Sequence, residues 1–376
     1  MASGRLNGVF FGIEHEVAFL NRDGEFADFS RTTFDDFNEI IEKLPLYPQD
    51  YPQLRIGDAG IKVKRWYIEG FERFKDSEKP VDCVPKGIEI RTRIHSSIKN
   101  TISELTESFY LLTDIANSFG FTPVLLSFNP YHAVFEPAPP LNAYEIKRRQ
   151  ASPEKQTAHI PMLTYGPDLS LSVKGLTTER VIDIGKKLTY YSPFVVPFSF
   201  SSPFYGGNLW NGLSVRTFVR TGARPAVMVF IDEPEKLVKS SPSLTKKARI
   251  PAEVGRIEFK AFDSCDDFSL YSGLFVLLKG LVVDQSLPGR AIVPDPELHQ
   301  VSAREGFEND QVFLKAKEIV HAVKIALDRD PDCKMLAPIE TLLEERRTPA
   351  HEMIRLFSQE PSIEETLRKT YKDLRC

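Results

Sequence analysis

Alternation of apolar and polar positions marks four extended segments along the chain. Between Val9 and Leu20, Ile13, His15 and Val17 fall on one side of an extended backbone and Glu14 and Glu16 on the other, because strand side chains repeat every two residues. Around GIEIRTR, Ile88 and Ile90 oppose Glu89, Arg91 and Arg93; around GRIEFK, Ile257 and Phe259 oppose Arg256, Glu258 and Lys260. Leu169, Leu171 and Val173 alternate with Ser170 and Ser172 in the same manner. Each segment reads as a strand with one face in a core and one polar face.

A longer period marks the helices. Thr33 to Leu44 has helical character and is closed by Pro45. Ile102, Leu105, Phe109, Leu112, Ala116 and Phe119 recur at steps of three and four, with Ser97 and Asn100 as caps and Gly120 as the stop. Further helices are expected from Thr177 to about Tyr191, from Phe268 to Asp284, and over Asp310–Asp328, Leu336–Glu345 and Ile363–Leu374, the last three forming a C-terminal layer. Gly57, Asp58 and Gly60 precede a charged hairpin over Ile61–Phe74, Phe121–Phe128 reads as a strand, and Asn129–Gln150 reads as a proline-punctuated loop suited to a lid. The expected organisation is a core over residues 1–290 with a helical layer over 291–376 packed on the same domain.

Composition narrows the class. The 376 residues are 42% hydrophobic and 27% charged, enough for a large core in one large domain or two ordinary ones. A net charge of −4 gives no general pull toward nucleic acid, although Lys62 to Arg65 form a local basic stretch. Many of the 27 prolines fall between Pro123 and Pro203, where they predict long ordered loops. Cys83, Cys265, Cys333 and Cys376 lie far apart with no CxxC pair, which predicts free thiols in a reducing compartment. Glu14, His15 and Glu16 interrupt the apolar run from Val9 to Leu20, so it suits neither a signal peptide nor a membrane span, and a cytoplasmic protein is expected.

The polar faces carry the candidate chemistry. If the acidic strands are neighbours, Glu14, Glu16, Glu89 and Glu258 converge with several cations, and hard divalent cations favour such oxygen donors together with substrate phosphates. The same alternation also describes a half-solvated antiparallel sheet, so spacing alone leaves a site and a charged surface both open. His15 lies on the apolar side and reads as a hydrogen-bonded core histidine rather than a ligand.

The order of the motifs narrows the choice. GIEHE on the first strand, IEIRT before a long helix, PFSFSSPFYGG ending in LSVR, and RIEFKAFD before an apolar helix together resemble the bacterial glutamate–cysteine ligase family of carboxylate–amine ligases, over roughly Val9 to Asp284. That resemblance implies an α+β fold of the glutamine synthetase and guanidino kinase group, with a curved antiparallel sheet flanked by helices. It implies ATP and Mg2+, with Glu14, Glu16, Glu89 and Glu258 near the metal. It also implies that Arg91, Arg216 and Arg256 bind the nucleotide, and that Arg216, Arg256 and Lys260 stabilise charge on transferred oxygens. Two departures stand out. Asp168, Ser170 and Ser172 occupy positions where many members carry a histidine pair, and the run from Arg216 to Gly222 is shorter than usual.

The chemistry implied is phosphorylation of a carboxylate, typically the γ-carboxylate of glutamate, followed by attack of an amine on the acyl phosphate. Three function classes follow: a glutamate–cysteine ligase, a related ligase for a different amine or carboxylate, and a non-catalytic nucleotide- or amino-acid-binding descendant. The expected partners are small molecules, L-glutamate and L-cysteine first, with neither nucleic acid nor membrane, and the chain is compatible with a homo-oligomer.

Overall fold

The structure is a computed structural model that describes residues 8–50, 65–77 and 79–371. Lys62 and Lys64 of the basic stretch, most of the first arm of the charged hairpin with its Gly57–Gly60 turn, the end of the last expected helix at Leu374, and Cys376 lie outside these residues.

In chain order the strands are β1 (Val9–Leu20), β2 (Phe26–Ala27), β3 (Trp66–Arg73), β4 (Asp82–Arg91), β5 (Thr122–Val124), β6 (Pro167–Val173), β7 (Phe204–Tyr205), β8 (Asn208–Leu209), β9 (Val227–Ile231), β10 (Thr245–Lys247) and β11 (Ile257–Phe259). The α-helices are α1 (Phe34–Lys43), α2 (Ile98–Ser118), α3 (Ala143–Arg149), α4 (Pro153–Gln156), α5 (Thr178–Val195), α6 (Val215–Arg220), α7 (Phe268–Val283), α8 (Pro296–Glu305), α9 (Asp310–Ala326), α10 (Ala337–Glu344), α11 (Pro349–Gln359) and α12 (Ile363–Arg368). The main sheet runs β10-β9-β11-β6-β1-β4-β3, with β2 and β5 also paired to β1. It curls into a half-barrel flanked by helices, the α+β architecture expected. Its pairings are antiparallel except at one edge, where β9 and β10 run parallel.

Local signals placed the helices. Thr33 and Asp36 form a capping box at the start of α1, Ser97 caps α2, and Thr177 caps α5. Helix α2 ends as Gly120 adopts φ +81°, a left-handed conformation that glycine takes without a Cβ penalty. One side of β1 buries Phe11, Ile13, His15 and Val17 against the helical layer. Helix α7 is apolar on all sides because it lies inside, in contact with α2, α5, α9 and α10. At Gly280 an added Cβ would stand 2.4 Å from a Val323 methyl, so this glycine sets how closely α7 and α9 approach.

His15 belongs to this core, as its phase predicts. It is fully buried among Phe109, Phe268 and Tyr271, and burial pushes its pKa down to about 3. The Tyr271 hydroxyl accepts from the Cys265 amide at 2.9 Å, so its own hydrogen is available to His15 Nδ1 at 3.0 Å.

Several expectations shift. The Phe121–Phe128 strand shortens to Thr122–Val124, with Phe128 making only an isolated bridge to Thr164. Strand β9 and helices α8 and α11 were not anticipated. Arg93 does not stay with Glu89 and Arg91: the strand ends at Arg91, and Arg93 instead donates to Glu104 at 3.0 Å and lies 3.5 Å from Asp50. Arg65 is likewise absorbed, with its Nε 2.8 Å from the buried Asp50 carboxylate.

Candidate active site

Register brings the acidic motifs to one face. On β1, Glu14 stands opposite Arg91 of β4 and Asp168 of β6, and Glu16 stands opposite Glu89. On the far side of β6, Glu258 of β11 stands opposite Ser170. The strands carrying the four candidate acids therefore lie within four adjacent positions of the sheet, β11-β6-β1-β4, and all four carboxylates share its polar face.

Six carboxylates sort into two clusters, each with oxygens within 4.8 Å of one another: Glu14, Asp168 and Glu258, and Glu16, Glu69 and Glu89. The first is closed by cations. Lys260 Nζ lies 2.9 Å from Glu258 and also pairs with Asp168, while Arg256 reaches Glu258 at 3.3 Å, Glu253 at 3.5 Å and Glu14 at 4.0 Å. Arg256 is steadied by the Phe230 ring, 4.2 Å below its guanidinium. Burial alone would raise the Glu258 pKa, but Lys260 and Arg256 hold it well below the usual carboxylate range. Asp168 goes the other way, pushed up by burial and by Glu258 and Glu14 against the pull of Lys260.

The second cluster is short of cations at its centre. Glu16 accepts from Lys86 Nζ and from the Gly166 amide, each at 2.9 Å. Glu89 is 5% exposed, yet its Oε1 has no hydrogen-bond partner among the described residues. Burial, with Glu14, Glu69 and Glu16 nearby, pushes its pKa well above the ordinary value despite Arg91. A buried oxygen with no donor, ringed by further carboxylates, suits a hard divalent cation. Tyr67 forms the adjoining wall, with the Arg91 guanidinium 4.2 Å from its ring centre.

Arg216, 3% exposed, holds the chain beside this face. Its Nη1 donates to Ala261 O and its Nη2 to Lys260 O, both at 3.1 Å, and Asp263 lies 3.7 Å away. The guanidinium packs on Gly166, where an added Cβ would meet it at 2.5 Å. Asp263 also accepts from the Ser201 amide and from the Ser202 and Ser214 hydroxyls, so the serine-rich PFSFSS segment is tied into the interior by one buried carboxylate.

Glu69 and Lys86 were missed by sequence reasoning, and one irregularity accounts for Lys86. Glu69 pairs with Gly87 but Gly70 with Pro85, so Lys86 is an extra, bulged residue. Its parity places it with Ile88 on the core side, yet the bulge turns its ammonium to Glu16, Pro161 O and Thr164 O. Ser170 and Ser172 line a cavity of about 220 Å³ with Glu14, Glu258 and Lys260, which places the polar face of β6 at the site.

No protein-family model matches the chain, and no curated protein matches it in sequence. Solved structures do. A glutamate–cysteine ligase from Francisella tularensis, determined in complex with AMP, superposes with a TM-score of 0.60 over 98% of this chain and 89% of its own, at 11% identity. The fold is shared with a glutamate–cysteine ligase. A bifunctional glutathione synthetase from Pasteurella multocida gives a TM-score of 0.57 at 11% identity, covering 98% of this chain and 52% of that one, so the present chain spans about half its length. The ligase PafA, in its complex with the prokaryotic ubiquitin-like protein Pup, gives 0.54 at 12% identity over 96% of this chain and 72% of that one.

Proposed function

We propose that the protein is an ATP- and Mg2+-dependent carboxylate–amine ligase, with glutamate and cysteine as the first substrates to test. The observation that carries the reading is the second acid cluster, where a buried Glu89 oxygen without a donor sits among Glu14, Glu16 and Glu69 on the polar face of a sheet shared with three ligases. Magnesium bound there would neutralise phosphate charge and orient the transferred group. Glu16, Glu69 and Glu89 would hold one ion, with Glu14, Asp168 and Glu258 offering further oxygens.

The chain's own residues supply the rest. Arg256 and Lys260 border the first cluster, each within reach of Glu258, and are the cations placed to meet phosphate oxygens. Arg216 acts one step back, because two of its donors fix the Lys260 and Ala261 carbonyls. In the reaction proposed, the γ-phosphoryl group of ATP passes to a carboxylate oxygen and ADP leaves. The amine nitrogen then bonds to the acyl carbon, phosphate departs with the electron pair of the C–O bond, and the amine's proton goes to a carboxylate of the sheet or to the released phosphate.

A second reading has its own observation. Asp168, paired with Lys260, stands where many members of the resembled family carry imidazole, which favours a ligase with a different amine acceptor. Phosphate release from ATP with Mg2+ and L-glutamate, with and without L-cysteine and then across a panel of amines, tests both. Cysteine-dependent release yielding a γ-glutamyl dipeptide by mass supports the first reading, and dependence on another amine supports the second. Absence of release across the panel, with no Mg2+-dependent nucleotide binding, overturns the ligase reading.

A further inference from the structure

Strand β4 carries Pro85, Lys86 and Gly87 at its bulge, and these residue types account for it. Pro85 has no amide hydrogen to give to the ladder, and at Gly87 an added Cβ would stand 2.3 Å from Val17 O, so glycine is what lets β4 lie this close to β1. Lys86, between them, has no partner on β3 and is turned over. It is 1% exposed, and three acceptors match the three protons of its ammonium: Glu16 Oε1 at 2.9 Å, Pro161 O at 2.8 Å and Thr164 O at 2.6 Å. The Tyr165 ring centre lies 5.3 Å from Nζ, and the Tyr165 hydroxyl donates to Lys86 O, so the residue is held at both ends.

Two carbonyls alone do not offset the cost of burying an ammonium, which calls for a counter-charge. The carboxylate that meets it is Glu16, whose other oxygen accepts from the Gly166 amide at 2.9 Å. Both oxygens of Glu16 are thus held by donors of the fold, one charged and one neutral, and the carboxylate is oriented before any ion arrives. Glu69 and Tyr67 line a cavity of about 190 Å³, and among the described residues Lys86 is not part of its wall, so an ion entering there meets carboxylates first. Other charges bear on the cluster. Arg91 and Glu14 are cross-strand partners of opposite sign at its border, and Arg220 in α6 and Arg224 just beyond it attract Asp168 as well as Glu16. Lys86 touches Glu16 directly. With it, three ionised glutamates keep two negative charges, the amount that one divalent ion neutralises.

We propose that Lys86 is a resident counter-cation that positions Glu16 and makes the cluster of Glu16, Glu69 and Glu89 select one divalent ion over a more highly charged one. A fixed positive charge repels a trivalent ion more strongly than a divalent ion at the same place. Removing that charge therefore favours the trivalent ion in the ratio of the two affinities, while any loss of orientation at Glu16 weakens both and cancels from the ratio. The inference rests on the cation site of the ligase reading and not on its reaction. Lys86 is a positioning residue, acting on the ion through Glu16 and through its charge. A purely structural Lys86, anchoring residues 161–164 to the sheet, would affect stability and leave the ratio alone.

The test is metal binding by the full chain without nucleotide, with Mn2+ followed by electron paramagnetic resonance titration and Tb3+ by emission sensitised through Tyr67. Ions at this cluster are those whose binding is lost in Glu89→Gln. Lys86→Met is expected to lower the metal-free unfolding temperature, because Glu16 and two carbonyls lose a donor, and to shift the ratio of Tb3+ to Mn2+ affinity toward Tb3+ by about tenfold or more. Lys86→Arg, which keeps the charge, should keep the wild-type ratio. Lys86→Gln, neutral but polar, should shift it as methionine does and keeps the test open if the methionine variant folds poorly. An unchanged ratio in both neutral variants, whatever their unfolding temperatures, overturns the proposal and leaves Lys86 an anchor. An equal shift in Lys86→Arg also overturns it, since shape rather than charge would then set the preference. Wild-type protein that binds neither ion in a Glu89-dependent manner removes the cation site itself and this inference with it, whereas Glu89-dependent binding with an unchanged ratio removes only the inference.

Discussion

Helix α3, within the proline-punctuated segment, is fastened to the sheet through one carboxylate, and acid should unfasten it. Glu145 is 3% exposed and accepts four hydrogen bonds: from Arg73 Nε at 2.8 Å and Nη2 at 3.0 Å, and from the Phe74 and Asn142 amides at 2.9 Å each. Asn142 returns the contact through its side-chain amide to Phe74 O at 2.6 Å. Burial opposes the charge on Glu145, but Arg73 and the two amides outweigh it and lower its pKa from 4.5 to about 2. At about 1.4 kcal/mol per pH unit, that fall corresponds to about 3 kcal/mol favouring the folded, charged form. A carboxylate with a lowered folded pKa stabilises above its unfolded pKa, so the contribution is complete above pH 4.5 and drains away as pH falls toward 2. Hydrogen exchange of peptides spanning 74–77 and 139–150, corrected for the intrinsic pH dependence, should show protection falling across that window. Glu145→Gln should lower it by about tenfold to a hundredfold already at pH 7 and flatten the acid dependence. Equal protection and an equal acid profile in the two proteins would refute the latch.

Other outcomes follow from the site and core. Glu89→Gln should weaken Mn2+ binding, read by electron paramagnetic resonance titration, by about tenfold or more while leaving the metal-free unfolding temperature unchanged or slightly higher, because it relieves crowding among carboxylates; loss of stability with intact Mn2+ affinity would contradict the cation site. Gly166→Ala should cost about 1–3 kcal/mol by calorimetry, since the new Cβ would meet the fixed Arg216 guanidinium at 2.5 Å and displace it from the Lys260 and Ala261 carbonyls. His15 is neutral in the folded protein with a pKa of about 3 against 6.5 unfolded, so its contribution to stability is complete above pH 6.5 and shrinks as pH falls toward 3. His15→Gln should therefore flatten that part of the acid-unfolding curve, whatever it costs at neutral pH.

What was legible in the chain is what period and parity can carry. Strand β1 runs from Val9 to Leu20 as read, and Glu14, Glu16, Glu89 and Glu258 meet because each sits on the polar side of a regular strand. Glu69 escaped because it lies inside Ile61–Phe74, a segment read only as a charged hairpin. The structure buries Trp66 completely, its indole donating to Ser108 O, which leaves Tyr67 and Glu69 facing the acids. Lys86 escaped for the opposite reason, since a bulge overturns the parity that made its neighbours readable. Arg220 and Arg224 were visible as a four-residue spacing but stood between the LSVR and RIEFKAFD motifs, Arg220 in a run noted only for being short. Arg93 and Arg65 left the polar face because Glu104 and Asp50, neither of them part of a recognised motif, partner them inside the fold.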